Sequence, residues 1–289
     1  MASKHVDMSM DRIKADQELW FGKSFPIDPD IRPADSGLAG YEYMRVRICT
    51  PNPEWEDLHY HDFVRSAARM MCVSWNSTGT EAQDLVDRMP FEEQEERVVK
   101  ILSRFFVTPV VESAVFVFEM HGISRSMTHQ IVRHRSMAFH QQSMRVSNCL
   151  GDPCRFPPDL VQRLQSKQPE HEPLFKSDAE RVVEDYRLKW QRAVDACRDV
   201  YAEGLRLGLD PEDVRDVLPN GTNQKIFAVM RLRELLAWLN DRTSDITQDE
   251  HHWLVSVTVN EIESKLRKWS QLLRKVCPRW QEHLEFSNR

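Results

Sequence analysis

The chain has 289 residues, 41% hydrophobic and 29% charged, with a formal charge of −6 at pH 7, values typical of a globular protein long enough to bury one large core or two. No run approaches the eighteen apolar residues that a membrane-crossing helix needs, and the acidic balance argues against a broad polynucleotide-binding surface. The six cysteines, Cys49, Cys72, Cys149, Cys154, Cys197 and Cys277, show neither a disulfide-like pattern nor a Cys-x-x-Cys pair, so reduced, packed thiols are expected.

From the start, residues 1–16 carry Asp7, Asp11 and Asp16 without an apolar stretch, so no secretory signal is expected and the chain is assigned to the cytoplasm. Residues 1–40, with Pro26, Pro29 and Pro33, read as an irregular N-terminal arm, and residues 41–289 as a single domain. Residues 41–50 alternate as a strand, whereas 62–75 and 97–106 have helical spacing. Residues 114–120 are rich in Val and Phe, as a buried strand would be. Ile123, Met127 and Ile131 recur every four residues, which predicts one apolar helix face and delivers Gln130 and Arg133 to that helix's C-terminal end. Residues 149–173 contain Pro153, Pro157, Pro158 and Pro169 and read as a long loop. Three long helices are predicted over 178–207, 224–240 and 248–276. The fold class is α+β, a central, mostly antiparallel sheet flanked by long helices.

The most informative stretch is His121 to Leu150, which contains no Asp or Glu. Within it, Arg133, Arg135 and Arg145 each offer a planar fork of N–H donors that stays charged and matches two phosphate oxygens. Ser143 adds a hydroxyl, and Gln130, Gln141 and Gln142 can donate and accept toward a sugar or base edge. A solvated basic helix face is the plainer explanation. Against it stand the missing local carboxylates and the apolar Met137, Ala138 and Phe139 between the arginines. The block suits a nucleotide.

Arg133-His134-Arg135, seven residues and then Ser143 resembles the signature of the flavin-dependent thymidylate synthases, the ThyX family. The segments Val110-Val111-Glu112-Ser113-Ala114 and Gly122-Ile123-Ser124-Arg125 upstream, Cys72-Val73-Ser74-Trp75 earlier, and Val214-Arg215-Asp216-Val217-Leu218-Pro219-Asn220 downstream are similar to further family elements. The resemblance covers about residues 45 to 278. It implies that Gln130, Arg133, Gln141, Ser143, Met144 (through its backbone), Arg145, Arg215 and Arg242 bind a uracil nucleotide, with Arg242 as the catalytic residue at the uracil carbonyl edge. An ion pair of Arg242 with Asp241 or Asp245 is the alternative from the residues alone. For the flavin it implies Arg133, His134, Arg135, Ser136, Gln141 and Arg233. It further implies FAD as redox cofactor, NADPH as reductant, methylenetetrahydrofolate as one-carbon donor, and a homotetramer with shared sites in which Arg215 serves another subunit. No nucleic acid, membrane or metal partner is expected; His134 with His129 or His140 lacks the i, i+4 spacing of a helical zinc site.

Several positions depart from the family pattern. Ser113 and Val107 stand where the family has His, Val146 where a Tyr is usual, Arg231 where an Asn lies, Ala237 where an Asn or His lies, and Gln141 where Glu is common. They point to shifted cofactor geometry or to a ribose rather than a deoxyribose substrate, as in family members of nucleoside-antibiotic pathways that methylate UMP. A family member that binds a nucleotide without turnover is the other reading. Pro153-Cys154-Arg155 superficially resembles the Pro-Cys-His nucleophile of the unrelated thymidylate synthase fold, but nothing else in the chain supports that fold.

Overall fold

A computed structural model describes residues 38–75, 79–104, 109–158, 160–166, 175–241 and 249–286. The N-terminal arm expected over 1–40 lies almost wholly outside the described residues, as do Val107 and Arg242. The chain begins with β1 (Leu38–Ala39), β2 (Arg45–Thr50), α1 (Glu56–Trp75), α2 (Ala82–Asp87) and α3 (Phe91–Arg104). Next come β3 (Val115–Ser124), α4 (Arg125–Ile131), β4 (Ala138–Gln141), β5 (Cys154–Arg155), α5 (Leu160–Ser166) and α6 (Lys176–Arg206). Then follow α7 (Pro211–Val214), β6 (Asn223–Arg231), α8 (Leu232–Asp241), α9 (Asp249–Lys265), α10 (Arg267–Val276) and α11 (Trp280–Phe286).

Alternation along the strands builds the centre. Four strands pair antiparallel in the order β2-β3-β6-β4, while β1 and β5 form a short parallel pair. One face turns Val46, Ile48, Phe116, Phe118, Met120, Ile226, Ala228 and Met230 into the core. On α1 the buried residues Tyr60, Phe63, Val64, Ala67, Ala68 and Met71 repeat at helical spacing, so a single stripe of that helix packs inward. Trp269 of α10 joins the layers, its ring centroid 5.4 Å from Tyr60, 4.9 Å from Phe63 and 5.1 Å from Phe116. The other sheet face leaves Val115, Phe227 and Val229 exposed. A second, smaller core gathers Met144, Cys149, Leu150, Tyr201 and Leu218. Gly204 allows it: a Cβ there would lie 2.3 Å from Val214 Cγ1, so only glycine lets α6 approach α7 this closely.

The α+β class holds, with corrections to its elements. The helix expected over 224–240 is a strand, β6, followed by the ten-residue α8. Residues 41–43 form a 3-10 turn before β2. Ile123 ends β3, so the helix predicted to carry Ile123, Met127 and Ile131 starts only at Arg125, although all three are buried. Helix α1 starts six residues before 62, and α3 six before 97. The loop over 149–173 contains β5 and α5. The helix over 248–276 breaks at Leu266 into α9 and α10.

Candidate functional site

The site grows from the junction of β3 and α4. Ser124 caps α4, its Oγ accepting the Met127 N–H at 3.0 Å, the side-chain cap expected of serine at a helix start. The next free N–H groups are also used: Arg125 N–H donates to the Thr222 carbonyl and Ser126 N–H to that of Asn220, both at 3.0 Å. Beneath the cap lies Glu250 of α9, 1% exposed, which accepts the Ser124 N–H and hydroxyl at 2.7 Å each. Arg155 Nε stands 3.1 Å from Glu250, its Nη2 donates to the Gly122 carbonyl at 3.2 Å, and its guanidinium sits 4.5 Å from the Tyr41 ring centroid. A buried carboxylate is stable only when paired and hydrogen-bonded. This one is both, and it ties α4, β5 and α9 together.

At the far end of α4 the chain turns sharply. Arg133 N–H bonds the Gln130 carbonyl at 3.2 Å, His134 N–H that of Ile131 at 3.1 Å, and Met137 N–H that of His134 at 3.1 Å. Ile131 and Met137 are buried on either side of the turn, so Arg133, Arg135 and Ser136 are thrust outward and exposed. Neither Arg133 nor Arg135 has an ion-pair partner among the described residues. His134 turns partly inward, edge-on to His251 with centroids 6.0 Å apart.

Strand β4 then pairs with β6, Ala138 opposite Val229 and Gln141 opposite Ile226. Gln141 Nε2 donates to Thr128 Oγ1 at 3.0 Å, fastening the strand back onto α4. Gln142 N–H donates to the Lys225 carbonyl at 2.9 Å and its amide to Asp152 at 3.4 Å. Ser143 is exposed, and its carbonyl accepts the Ser147 N–H at 3.0 Å. Met144 sends its side chain into the second core with Tyr201 and Leu218. Arg145 meets Glu212 of α7 with two contacts of 2.8 Å. Arg215 follows on the next turn, its Nε 3.8 Å from the exposed Asp216.

Two clusters result, one at each end of β4. Ser143 and Arg145 lie just beyond its C-terminal end, where Arg145 meets Glu212, three residues before Arg215. The β4 register runs Arg135 and Ser136 toward the end of β6, where Arg233 and Arg231 both contact Glu112, Arg231 Nη1 at 2.9 Å. Arg233 Nε is buried without a hydrogen-bond partner among the described residues. The four residues of β4 between them span about 14 Å at the usual rise per residue. Arg242 lies outside the described residues.

The cysteine of the rival motif is excluded as a nucleophile by its surroundings. Cys154 is 1% exposed and burial pushes its thiol up, the reverse of an activated cysteine. Cys149 is pushed up to about 12, again chiefly by burial. Among the described residues no three His, Cys, Asp or Glu side chains are placed to hold a metal, and no helix is long and apolar enough to cross a membrane. Sequence reading missed Glu250 and Glu212, and saw Glu112 only as part of a motif. Their partners lie 126, 67 and about 120 residues away, so local spacing carried no signal for them.

An α+β domain with arginines placed beyond both ends of one short strand defines the class. The chain belongs to the family described as Thymidylate synthase complementing protein, whose profile matches residues 58–266. It is 34% identical over 141 residues to a flavin-dependent thymidylate synthase of Geobacter sulfurreducens, covering 49% of this chain and 53% of that protein. A second such synthase, of Pyrococcus abyssi, is 30% identical over 168 residues, 56% of this chain and 62% of its own. The chain thus spans between half and two thirds of these two relatives. Among solved structures, the UMP/dUMP methylase PolB from Streptomyces cacaoi, bound with 5-Br dUMP, superposes with a TM-score of 0.57 at 17% identity, covering 81% of this chain and 97% of that one. That likeness establishes the shared fold.

Proposed function

We propose that this chain is a flavin-dependent methyltransferase that methylates C5 of uracil in a nucleotide, dUMP or UMP. The observation that carries the reading is the pair of guanidinium clusters at the two ends of β4, with Arg133 and Arg135 in no ion pair among the described residues of a chain of net charge −6. Ser143, the Met144 backbone, Arg145 and Arg215 are read as holding the substrate phosphate, with Gln130, Arg133 and Gln141 toward the sugar and base.

The other cluster fits FAD. A dinucleotide cofactor needs donors for a pyrophosphate, and Arg133, Arg135 and Ser136 are presented outward while Arg233 keeps a buried Nε without an acceptor among the described residues. Bound FAD, reduced by NADPH, would supply the hydride that completes a methyl group from the methylene of methylenetetrahydrofolate. The protein's own part is electrostatic. Arg242, at the uracil carbonyl edge, would stabilise the negative charge that develops on the ring, a contribution of about 3 kcal/mol or more. The substrate C5 thereby becomes nucleophilic without a cysteine, which agrees with the inert Cys154. Residues 41–289 are read as one catalytic domain, assembled as a cytoplasmic homotetramer whose sites join several subunits. Val146 in place of a Tyr and the exposed His140 on β4 leave room and a partner for a 2′-hydroxyl, which favours UMP alongside dUMP.

The test is the purified protein's colour and turnover. A yellow protein that bleaches with NADPH under anaerobic conditions and methylates UMP or dUMP supports the reading, and Arg242→Gln should abolish turnover while retaining the flavin. A colourless protein that binds the nucleotides without turnover would instead establish the non-catalytic family member. The carboxylates already closing Arg145 and Arg233 favour that second outcome.

A further inference from the structure

A cleft of about 640 Å³ opens where β2, β3 and the start of β6 meet the end of α9, with Tyr43, Arg45, Asn223, Lys225, Glu261 and Lys265 on its walls. None of Arg133, Arg135, Arg145 or Arg215 lines it. Its volume falls in the range of small-molecule sites.

Its charge is arranged unusually. The register sets Arg45 opposite His121 and His121 opposite Lys225, a row of three basic side chains across three strands. Like charges directly opposite one another weaken a sheet. Of the carboxylates around the cleft, Glu119 is engaged by His121 at 2.8 Å and Arg47 at 3.9 Å, and Glu261 accepts the Ile48 N–H at 3.2 Å. The third, Asp152, accepts from Gln142, and burial holds its carboxyl above the usual range. Arg45, Lys225 and Lys265 have no ion-pair partner among the described residues.

The second observation is independent of charge. Asn223 is 4% exposed, and among the described residues neither its side-chain oxygen nor its nitrogen has a hydrogen-bond partner. Strand alternation puts Asn223 on the same face as Lys225, and Asn223 lines the cleft. A buried amide left open on both atoms is disfavoured. Its complement is a molecule presenting a carbonyl beside an N–H.

We propose that this cleft is a second binding site, for a small phosphate monoester whose body pairs a C=O and an adjacent N–H with the Asn223 amide. The phosphate would lie among Arg45, Lys225 and Lys265. The site would also report to the signature, because Lys225 and Asp152, on its wall, hold Gln142 between Gln141 and Ser143. It does not depend on what the signature itself binds.

Calorimetric titration of the full chain at fixed ionic strength tests it with two probes, inosine 5′-monophosphate, which carries that edge, and ribose 5-phosphate, which does not. Both should bind, the inosine compound about tenfold more tightly, as one well-made amide pairing implies. Lys225→Gln/Lys265→Gln should weaken both by about tenfold or more. Asn223→Leu should bring the inosine compound down to the ribose 5-phosphate level and leave the latter unchanged. Arg133→Gln/Arg145→Gln should leave at least one binding event intact. Should Asn223→Leu fail to fold, the exposed Lys225 and Lys265 keep the test decisive. The proposal is overturned if binding disappears in Arg133→Gln/Arg145→Gln but survives Lys225→Gln/Lys265→Gln, if neither probe binds, or if both probes bind equally to the unmodified chain.

Discussion

Glu250→Gln is the most revealing single substitution. Glu250 has an almost fully buried carboxylate with contacts to Ser124 N, Ser124 Oγ and Arg155 Nε at 2.7, 2.7 and 3.1 Å. Glutamine keeps an oxygen for the Ser124 N–H but loses the charge, leaving the Arg155 guanidinium, 8% exposed, without its counter-ion. Breaking one side of a buried pair costs about 3–5 kcal/mol. The hydrogen bonds that survive place Glu250→Gln near the lower end, about 3 kcal/mol, and Glu250→Ala near the upper. At about 2–4 °C per kcal/mol for a chain of this size class, the glutamine variant should melt about 6–12 °C lower. Arg155→Met alone strands the carboxylate and should cost a similar amount, but Arg155→Met/Glu250→Gln removes both charges. The double variant should therefore be more stable than the sum of the singles by at least about 1 kcal/mol, the coupling expected of contacting residues. Urea unfolding of the four proteins measures this cycle. Strict additivity, or a Glu250→Gln cost below about 0.5 kcal/mol as for an ordinary surface change, would refute the claim that this pair anchors α4.

Three shorter expectations follow from the same geometry. Glu212→Gln removes a half-exposed ion pair, so stability should change by no more than about 1 kcal/mol, yet UMP or dUMP affinity should rise because phosphate no longer competes for Arg145; unchanged or weaker binding by calorimetry counts against Arg145 as a phosphate ligand. Arg233→Gln should lower the flavin absorbance per chain while leaving the nucleotide dissociation constant within about threefold, a difference worth well under 1 kcal/mol; equal loss of both would merge the two clusters into one site. Burial holds His283 at about 4, below its ordinary 6.5, with its Nε2 2.8 Å from the Leu239 carbonyl. The unfolded ring therefore takes up a proton first as pH falls, so the stability it contributes is complete above pH 6.5 and is lost between 6.5 and 4, by about 3 kcal/mol in all. His283→Phe should flatten that part of the melting-temperature profile, and an unchanged slope would exclude His283 as its source.

The signature arginines were legible because a thirty-residue stretch without acid stands out in composition. Their outward direction was not, since it depends on Ile131 and Met137 being buried on both sides of one turn. Strand β6 was hidden by its second face: Ile226, Ala228 and Met230 alternate inward, but Phe227 and Val229 between them are apolar too, so the period of two is blurred and the leucines of α8 extend a helical pattern backward. The carboxylates closing the clusters were invisible for a different reason. Glu112, Glu212 and Glu250 are ordinary acids in sequence, and only strand pairing and helix packing bring them to Arg233, Arg145 and Arg155.

Strand β4 shows why so short an element can set a site's dimensions. A slip of one residue would turn every side chain of a strand to the opposite face, and four pairs with β6 alone offer little resistance. Here the register is fixed from outside the ladder as well. Gln141 is held to Thr128 on α4, Gln142 bonds Lys225 and Asp152, and Met137 and Met144 are buried in separate cores just beyond either end. Because α4 is itself capped by Ser124 over Glu250, the buried charge beneath its first turn acts on both arginine clusters through covalent chain and strand register. The spacing between the clusters is thus a property of the packed interior, while the arginines themselves stand nearer the surface, Arg145 against Glu212 and Arg233 against Glu112.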